Sequence, residues 1–439
     1  MYPSSKIEEF LEITRERVIK IDSRRVNEGD YYIAFKGNRY DGNDFIQDAF
    51  NRGASGALSD SVEGKNILSV DDTKNFIFEV SRYILKKNKT AKRIAITGST
   101  GKTTTKEITF FLLSKLGKVF KTRGNMNTEI GVPLSLISDR KEFYDAEFCI
   151  FETGTDKQGD LPKLVDLIKP NISVLTNFGT QHRGNFKNTR EHLNEKLSIF
   201  NDTYAGLISI VNTENDLIKE KVGSFPGKTI EFGRKNSGFF LTDFEYSNDS
   251  TMCAFKVFEE SRLLRLNGIW NRGQLSDFGA AYVIAKECGL DEPVFYMQEF
   301  ILPYSDRFAL KFIKGRKILD DTYNSSLESL RTAAESIEKI KAKKKIAVVG
   351  SIFDQGKYSE ESHKKIMDYL YPFDMILIYD SDKQIDIIKE YSGVKLFSDD
   401  PVEISKWLLK NTFEEDLIYF KASRAVKIEE IINVFKESE

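Results

Sequence analysis

Cysteine and histidine are scarce in this sequence. Its 439 residues include three cysteines and three histidines. Cys149, Cys253 and Cys288 lie far apart among apolar neighbours, so we interpret them as small core residues and not as disulfide partners or metal ligands. Because the sequence has no Cys/His cluster, a zinc site is not expected.

Strong net charge and long hydrophobic runs are also missing. The 65 basic residues nearly balance the 67 acidic ones, and a net charge of −2 provides no general attraction to nucleic acid or anionic lipid. The longest apolar runs, such as IAVV at 346–349 and MILIY at 375–379, are of strand length, far below the roughly 20 residues of a membrane helix. No basic segment followed by an apolar stretch opens the sequence. We therefore expect a cytoplasmic protein with no membrane span and no nucleic-acid partner.

The length and the order of the apolar runs predict three α/β domains. At roughly 100–200 residues per domain, a chain of this length holds two to four. From about residue 90, short apolar runs alternate with helix-length segments, which is typical of a mostly parallel sheet. Strand-like runs at 238–266 predict a small antiparallel addition, and the alternation resumes after Pro303. We predict an N-terminal α/β domain at 1–88, a central parallel-sheet domain at 89–302 and a C-terminal Rossmann-like domain at 303–439.

The strongest chemical signal is RIAITGSTGKTTTKEI at 93–108, where an apolar strand runs into a glycine-rich loop and a helix-compatible segment. Glycines allow backbone N–H groups to approach a polyphosphate, and a helix N-terminus favours negative charge. Lys102 can reach the terminal phosphates, and the Thr103 hydroxyl can ligate Mg²⁺. The loop is two residues shorter than the common GxxxxGK[ST] form, since Ile96 stands where that form has glycine. The predicted nucleotide-binding residues here are Gly98, Ser99, Thr100, Gly101, Lys102, Thr103 and Thr104.

Polar residues that follow later strands are candidates for the rest of the site. Glu152 ends the run EFCIF, and a carboxylate at the carboxyl end of a sheet strand points into the same crevice as a phosphate loop, so we predict a metal ligand. His182 follows the next strand, but a lone histidine is more often a hydrogen-bonded structural residue. By composition alone Lys196 is a solvated helix lysine. Asp320 and Asp321 either form a helix-entry turn or hold a ribose or an attacking group, and their spacing leaves both open.

These motifs, in this order, resemble the Mur ligases, the ATP-dependent amide-bond ligases of peptidoglycan precursor synthesis. The loop TGSTGKTTT is similar to that family's ATP motif, and DSRRVNEGDYYIAFKGNRYDGNDFIQDAFNRGASGAL at 22–58 is similar to its N-terminal UDP-binding domain. The pattern continues through GNMNTEIGVPLSL at 124–136, FETGTDKQGDL at 151–161, TNFGTQHRGNF at 176–186, NEKLSIF at 194–200 and NGIWNRGQL at 267–275.

Two segments indicate which member of the family this sequence resembles most. ILDDTYNSSLESLRTA at 318–333 and LIYFKASRAVKIEEII at 417–432 resemble those of the ligase that adds D-alanyl-D-alanine to UDP-N-acetylmuramoyl-tripeptide. The DNPR segment of the diaminopimelate- or lysine-adding relative is not found. The resemblance implies that ATP phosphorylates the terminal carboxylate of the UDP-muramoyl peptide, and that the amine of the dipeptide then displaces phosphate from the acyl phosphate.

The resemblance also assigns roles to residues. Lys102 and Thr103 would hold the phosphates and one Mg²⁺, while Glu152 and His182 match metal-ligand positions. Lys196 matches a lysine that is carbamylated in the family, where it helps to hold a second Mg²⁺. Asn271 would contact the adenine, with Arg307 and Asp321 closing onto the nucleotide. The predicted substrate-binding residues are Ser23 and Arg24 for the UDP moiety, Asn127 and Thr128 for the muramoyl peptide, and Tyr323 and Asn324 in the DDTYN run. A monomer is expected.

Departures from the family pattern keep two alternatives open. NGIWNRGQL corresponds to the family's GxHN segment, and Gln274 in it replaces a later Asn. NSSLES replaces NANPDS, and Arg183 and Asn185 stand where neutral or acidic groups are usual. The ATP side is thus nearly intact, whereas the side that receives the amine is altered. One alternative is a ligase of the same fold that joins a different amino acid or dipeptide to another carboxylate. The other is a phosphate-loop scaffold that binds ATP without ligation.

Overall fold

In this computed structural model the described residues are 2–438 with the exception of 38, 202–206, 248, 386–387, 389–390 and 392. The chain forms two compact units. The first comprises Met1–Ala95, Gly117–Gly154 and Asp160–Asn171, and the second comprises Ile96–Leu116, Thr155–Gly159 and Ile172–Glu439. The domain boundaries proposed from the sequence stay a prediction.

The first unit contains short parallel strands and amphipathic helices. In chain order they are α1 (Ser4–Ile13), β1 (Ile19–Lys20), β2 (Tyr31–Ile33), α2 (Ile46–Asn51), β3 (Gly56–Ser59), β4 (Ile67–Ser69), α3 (Thr73–Lys87), β5 (Lys92–Thr97, which continues into the second unit), β6 (Val119–Lys121), α5 (Gly131–Ser138), α6 (Arg140–Asp145), β7 (Phe148–Glu152) and α7 (Asp160–Ile168). Helix α4 (Lys102–Leu113) belongs to the second unit.

One apolar core holds the first unit together. The strands β1-β2-β3-β4 form a parallel sheet in that order, and β6 pairs with β7, also in parallel. Helix α3 begins where Asp72 accepts a hydrogen bond from the Asn75 N–H (2.7 Å). It buries Phe76 and Val80 in the same cluster as Leu136 and Phe143. Burial of each such side chain contributes about 1.5–3 kcal/mol.

The second unit carries the remaining elements. They are α4 (Lys102–Leu113), β8 (Ile172–Leu175), α8 (Thr189–Leu197), β9 (Ile208–Asn212), α9 (Asp216–Lys219), β10 (Lys228–Phe232), β11 (Phe240–Ser247), β12 (Ser250–Val257), β13 (Glu260–Asn267), α10 (Arg272–Glu287), α11 (Pro293–Met297), β14 (Ala309–Ile313), β15 (Arg316–Asp320), α12 (Leu327–Lys339), β16 (Lys345–Val349), α13 (Ser359–Ile366), β17 (Met375–Tyr379), β18 (Val394–Ser398), α14 (Pro401–Asn411), β19 (Leu417–Lys421) and α15 (Glu429–Glu437).

The sheets of the second unit confirm the α/β prediction. Strands β8, β9 and β10 pair in parallel, and β11-β12-β13 form the small antiparallel sheet expected at 238–266. The last sheet has the order β14-β15-β19-β16-β17-β18.

The last sheet is parallel with one exception. Strands β14 and β15 form an antiparallel hairpin, which the sequence reading did not predict. Its turn is Lys314-Gly315, with φ of 49° and 76°, and two successive positive φ angles are typical of the tight turn that joins adjacent antiparallel strands. No helix in the described part of the chain is long and apolar enough to cross a membrane.

Candidate active site

The phosphate loop lies between β5 and α4, as the sequence predicts. Asn177, just after β8, fixes the loop, because its Oδ1 accepts a hydrogen bond from the Thr100 N–H (2.9 Å) and its Nδ2 donates to the Thr100 hydroxyl. The Thr176 hydroxyl donates to the Thr100 carbonyl (2.6 Å), and the Gly179 N–H donates to the Ser99 hydroxyl (2.9 Å). Side chains and backbone of the segment that follows β8 thus hold the loop in shape.

Two glycines of this loop cannot be replaced by larger residues. A Cβ atom at Gly98 would overlap the Thr176 hydroxyl, and one at Gly101 would overlap Asp277 Oδ1. Gly101 also has φ of 82°, in the left-handed region that favours glycine, at the residue just before α4. Glycine is therefore required at both positions because neighbouring side chains leave no room for a Cβ atom, and at Gly101 also because of the backbone conformation.

Lys102 and Thr103 begin helix α4. The Lys102 ammonium donates to the carbonyl oxygens of Gly98 (2.7 Å) and Ser99 (3.3 Å), so the side chain folds back over the loop. Thr103 is buried, and its carbonyl accepts a hydrogen bond from the Tyr304 hydroxyl (3.0 Å). Thr104 is also buried. A cation over a glycine-rich loop at a helix N-terminus is an arrangement that binds polyphosphate.

A large cavity opens beside the phosphate loop within the second unit. Its volume is about 1030 Å³, at the upper end of the range of about 300–1,000 Å³ seen for small-molecule sites. Thr100 and Asn177 form the wall on the loop side, and the lining has both charges. The charged residues on this lining are Arg183, Glu214, Asp216, Arg234, Lys235, Arg272, Asp277, Glu328 and Arg331.

Asp277 of α10 is an unexpected acid at this site. Its side chain is buried, and burial raises the pKa of the carboxyl to about 8, while the nearby charges of Arg307 and Lys102 oppose the shift. Because this carboxyl group resists ionisation, it places less negative charge beside the loop where we predict that phosphate binds. Sequence reasoning missed this residue, because an Asp within a helix-length segment carries no signal of its own.

The Arg307 guanidinium packs against two aromatic rings. Its guanidinium carbon lies 3.6 Å from the centre of the Tyr323 ring and 4.9 Å from that of Tyr304. Its Nε atom is buried without a hydrogen-bond partner among the described residues. A buried donor left without an acceptor is costly, so this atom marks a place where an oxygen atom of a ligand would be favourable. Arg307 and Tyr323 were both predicted to be site residues.

Asn271 caps the N-terminus of helix α10. Its side-chain oxygen accepts from the Gln274 N–H (2.8 Å), while Gln274 Oε1 accepts from the Asn271 N–H (2.8 Å), which together form a capping box at the start of α10. Gln274 Nε2 also donates to the Arg307 carbonyl (3.0 Å). The Gln that departs from the family pattern thus completes the cap and contacts Arg307. The contact of Asn271 with adenine stays a prediction, whereas its neighbours Arg272 and Gly273 line the cavity.

His182 lies between two carboxylates. Its Nδ1 atom is 2.9 Å from Asp354 Oδ2, and its Nε2 atom is 3.7 Å from Asp156 Oδ1. Neither aspartate was predicted from the sequence. Asp354 follows β16, so the rule that polar residues at the carboxyl ends of strands gather at one edge of a sheet could have found it.

Lys196 is fully buried on α8, contrary to its reading as a solvated helix lysine. Burial and the nearby charge of Lys102 lower the pKa of its amine to about 7, while the charges of Asp156 and Glu195 act in the opposite direction. Composition could not reveal this burial, because a lysine on a helix usually points to solvent. Among the residues that the structure describes, no group of three or more His, Cys, Asp and Glu side chains is arranged to hold a metal ion.

Asp321 lies in a buried network on the C-terminal sheet. Its Oδ2 atom accepts hydrogen bonds from the Lys421 ammonium (2.6 Å) and the Tyr419 hydroxyl (3.0 Å). Lys421 also donates to the Asn324 carbonyl (3.0 Å). This network joins the DDTYN run to the KASR segment, both of which were singled out in the sequence. The predicted contact of Asp321 with the nucleotide stays a prediction.

In the first unit, Asn127 and Glu152 form a direct pair. Asn127 Nδ2 donates to Glu152 Oε1 (2.8 Å), and the Gly154 N–H donates to the Asn127 carbonyl (2.6 Å). The Thr128 hydroxyl accepts from the Gly131 N–H (3.1 Å) at the start of α5. Two residues predicted for different roles, one for the muramoyl peptide and one for metal, are therefore neighbours.

A further residue of this loop escaped sequence reasoning. Glu129 accepts from Lys74 of α3 (2.5 Å) and from Lys163 of α7 (3.0 Å). These ion pairs hold the backbone that carries Asn127 and Thr128.

Ser23 and Arg24 lie in a short 3-10 turn at Ser23–Arg25. Ser23 is buried, and Asp22 caps the turn by accepting from the Arg24 N–H (3.1 Å). The Arg24 guanidinium also donates to Asp22 (2.9 Å) and is otherwise largely exposed. The role of this turn in binding UDP stays a prediction.

Three family models match the chain in succession. They are described as the Mur ligase family catalytic domain at residues 17–92, the Mur ligase middle domain at 96–268, and the Mur ligase glutamate ligase domain at 306–424.

Curated relatives and solved structures match over nearly the full length. The UDP-N-acetylmuramoyl-tripeptide–D-alanyl-D-alanine ligase of Bacillus subtilis is 28% identical, with 96% of this chain and 93% of that protein covered. The crystal structure of MurF ligase from Thermotoga maritima in complex with ADP is 32% identical, with a TM-score of 0.86 and coverage of 96% and 97%. MurF from Acinetobacter baumannii, at 24% identity, a TM-score of 0.84 and coverage of 100% and 99%, shares the fold.

Proposed function

The chain belongs to the Mur ligase family, and we propose that it joins D-alanyl-D-alanine to UDP-N-acetylmuramoyl-tripeptide while ATP is converted to ADP and phosphate. As an ATP-dependent acid–amino-acid ligase, it would serve peptidoglycan precursor synthesis and so cell-wall growth, shape and division. The observation that carries the proposal is the preformed phosphate loop, held by Thr176 and Asn177 at the wall of a cavity of about 1030 Å³. The likeness over 96% of the chain to an ADP-bound ligase supports it.

The first chemical step brings two anions together. A terminal carboxylate oxygen of the UDP-muramoyl peptide attacks the γ-phosphorus of ATP, the bond to the β,γ-bridging oxygen breaks, and ADP leaves. Lys102 over the loop and Arg307 beside Tyr323 would reduce the repulsion between these anions by charge alone. The loop N–H groups and the start of α4 add fixed partial positive charge.

The second step forms the amide bond. The neutral amine of the dipeptide attacks the acyl carbon, a tetrahedral intermediate forms, the amine loses its proton, and phosphate leaves. Holding the amine against the acyl phosphate supplies much of the rate enhancement, because a bimolecular step becomes effectively unimolecular. Tyr323 and Asn324 stay our predicted contacts for the incoming dipeptide.

Two Mg²⁺ ions are proposed to bind at Thr103, Glu152, His182 and Lys196. Hydroxyl and carboxylate oxygens are ligands that Mg²⁺ accepts, and the His182 ring has one nitrogen on Asp354 and the other turned to Asp156. When bound, the ions would neutralise phosphate charge.

Carbamylation of Lys196 fits its surroundings. A neutral amine is the form that adds to CO₂, and burial beside Lys102 lowers the pKa of this amine to about 7. The carbamate would replace a repelled cation by an anion that attracts Lys102 and offers oxygen ligands. We further propose that the protein is cytoplasmic, since its proposed substrates are small soluble molecules, and that it is a monomer, as the family resemblance suggests.

Phosphate release from ATP with Mg²⁺ and UDP-muramoyl tripeptide, measured as candidate amines are added one at a time, tests the proposal. We expect phosphate and a mass-confirmed pentapeptide product with D-alanyl-D-alanine and not with single amino acids. Turnover with another amine alone would move the substrate within the family. Lack of product with every amine would contradict ligation of this carboxylate.

A different incoming amine is the alternative that a specific observation favours. In NSSLES, the residues Ser326 and Ser329 form a capping box that starts α12. Ser326, which stands where the family has Asn, is thus used together with Ser329 to begin a helix next to the predicted dipeptide site, and Leu327 stands where the family has Pro. The panel of amines described above separates the two substrates directly.

A further inference from the structure

The contact between His182 and Asp354 joins two loops of the second unit. His182 lies in the segment between β8 and α8, whereas Asp354 lies between β16 and α13. The two side chains meet at 2.9 Å, from Nδ1 to Oδ2. A single ion pair or hydrogen bond between exposed loops is often incidental. Other interactions that hold the same two loops together would show that this contact is a fixed feature of the fold.

The two loops have complementary shapes. The Gly184 N–H donates to the Asp354 carbonyl (2.9 Å). A Cβ atom at Gly184 would overlap the backbone of Gly356, and one at Gly356 would lie 2.9 Å from the Gly184 Cα. Because neither glycine has room for a side chain, the backbones approach closely and bring the His182 ring to the Asp354 carboxylate.

Arg183 locks the same two loops. Its guanidinium donates to Gln355 Oε1 (3.0 Å), to the Tyr358 carbonyl (3.3 Å) and to the Ser362 hydroxyl (2.6 Å), and it lies 4.4 Å from the centre of the Tyr358 ring. This arginine is one of the departures from the family pattern. This departure next to His182 therefore adds hydrogen bonds between the His182 loop and the segment that follows Asp354.

The backbone at both ends of the contact is unusual. His182 and Asp354 each have φ of 60°, in the left-handed region that is uncommon outside glycine, although Asn, Asp and His adopt it more often than other residues. Such conformations cost free energy and are frequent at functional sites. Two of them at one side-chain contact indicate that the loops are folded to make it.

We propose that Asp354 is the positioning residue of His182, and that it fixes both the ring orientation and the nitrogen that carries the proton. Donation of the Nδ1 proton to the carboxylate leaves the Nε2 lone pair for a metal ion, and a carboxylate behind a ligating histidine also makes the ring a better ligand. This inference rests on the proposed metal role of His182. Since Asp354 comes from the loop after β16, binding of the metal and seating of that loop favour each other reciprocally.

The variants must respect the backbone at 354. Asp354→Gly removes the carboxylate and tolerates φ of 60°, and Asp354→Asn keeps an acceptor without the charge. Gln355→Ala is the matched control, because it breaks a neighbouring hydrogen bond between the same loops, that from Arg183, without touching the His182 ring. If Asp354 served only to join the two loops, all three variants should change the His182 ring and the metal affinity to a similar extent.

The first measurement records the ring nitrogens of the metal-free protein by ¹⁵N NMR with labelled histidine at pH 8.5. The chain has three histidines, and His182→Gln assigns the resonance. We expect the His182 proton on Nδ1 in the unmodified protein, in Asp354→Asn and in Gln355→Ala, and a shift toward Nε2 in Asp354→Gly. A proton on Nε2 in the unmodified protein, or one that stays on Nδ1 in Asp354→Gly, would overturn the proposal.

The second measurement titrates Mn²⁺ by electron paramagnetic resonance in the presence of saturating ADP. We expect affinity to fall by about 10–100-fold in Asp354→Gly, to fall less in Asp354→Asn, and to change little in Gln355→Ala. An affinity indifferent to Asp354, in a protein that still performs ligation, would remove this inference and leave the proposed function intact. Failure of ligation in the unmodified protein would remove the proposed function, while the nitrogen measurement would still report on the contact.

Discussion

At the scale of single residues, two ionisable groups near the phosphate loop are buried where charge is costly. Lys196 is fully buried near Lys102, and its amine therefore loses its proton more easily than an exposed lysine. Asp277 is buried beside the phosphate loop and keeps its proton more firmly than an exposed carboxyl. In both cases removal from water disfavours the charged form.

We expect Lys196→Ala to separate nucleotide binding from ligation. ATP affinity should stay within a few-fold, because the phosphate loop is intact, while kcat/KM for ligation should fall by about 100-fold or more, the size of effect seen when one preorganised charge is removed. Calorimetric titration of ATP and product formation measured together test this. The control is Lys187→Ala, since Lys187 is an exposed lysine nearby. Unchanged turnover in Lys196→Ala would exclude the carbamate.

Dissolved CO₂ provides an independent test of the same residue. Because a carbamate forms and decomposes with CO₂, exhaustively degassed protein should lose ligation activity and regain it when bicarbonate is added. The Lys196→Ala variant should not respond to bicarbonate. Full activity in degassed buffer would argue against a carbamate at this position.

Asp277 predicts a dependence of stability on pH. The pKa of its carboxyl is about 8 in the folded protein and near 3.9 in the unfolded chain. The unfolded state therefore releases its proton first as pH rises, so this group lowers the free energy of unfolding progressively between about pH 4 and pH 8.

Asp277→Asn should remove that loss. We expect the variant to be more stable than the unmodified protein, with a difference that grows by about 1 kcal/mol per pH unit between pH 5 and pH 7. Urea unfolding followed at several pH values measures it, and Asp291→Asn, at an exposed position, is the control. A difference independent of pH would contradict the assignment.

At the scale of elements, the starting points of two helices lie at the proposed nucleotide site. Gly101 directly precedes helix α4, and a Cβ atom there would overlap Asp277 Oδ1, while helix α10 begins at the capping box of Asn271 and Gln274. Each start combines a local backbone requirement with a position at or near the cavity.

Gly101→Ala should abolish nucleotide binding by a steric and conformational effect. The added methyl group would overlap Asp277 Oδ1, and φ of 82° is strained for alanine. Gly289→Ala is the matched control, because Gly289 has φ of 101° and no atom within 4 Å of an added Cβ. We expect both variants to lose about 1 kcal/mol of stability from backbone strain. A Gly101→Ala variant that binds ADP normally would show that the loop is not the phosphate site.

Asn271 can be tested for two roles at once. Removal of the cap in Asn271→Ala should cost about 1 kcal/mol of stability, whereas Asn271→Ser keeps a capping oxygen and should cost little. If the side-chain amide also contacts adenine, both variants should bind ATP more weakly. Thermal unfolding and ATP titration of the pair measure these effects. A Ser variant with unchanged stability and unchanged ATP affinity would leave Asn271 with the capping role alone.

Most of the helices and strands, and the position of the phosphate loop, could be predicted from the sequence, because the patterns that indicate them are local. The alternating apolar runs, the strand–loop–helix pattern at Lys102 and the helix after Asn271 each depend on residues close in the chain. The burial of Lys196, the acid at Asp277 and the pairing of His182 with Asp354 depend on residues far apart in sequence. Local periodicity does not specify such contacts, which is why the sequence reading described Lys196 as solvated and missed both aspartates.

At the scale of the whole molecule, the chain matches a ligase solved with ADP over 96% of its length. Most residues predicted on the ATP side follow the family pattern. The departures have structural roles in this chain: Arg183 joins two loops, Gln274 helps to cap α10, and the serines of NSSLES cap α12. These departures therefore do not by themselves argue against ligation, and the identity of the amine is decided by the panel of substrates.

The central claim is that the peptide carboxylate is activated by transfer of the γ-phosphoryl group of ATP. The most direct measurement uses UDP-muramoyl tripeptide labelled with ¹⁸O in its terminal carboxylate, together with ATP, Mg²⁺ and D-alanyl-D-alanine. Because the acyl carbon–oxygen bond breaks when the amine attacks, we predict that each phosphate released carries one ¹⁸O atom and that the new amide keeps the other. Phosphate free of ¹⁸O would show that ATP is hydrolysed without activating the carboxylate, and would contradict the account.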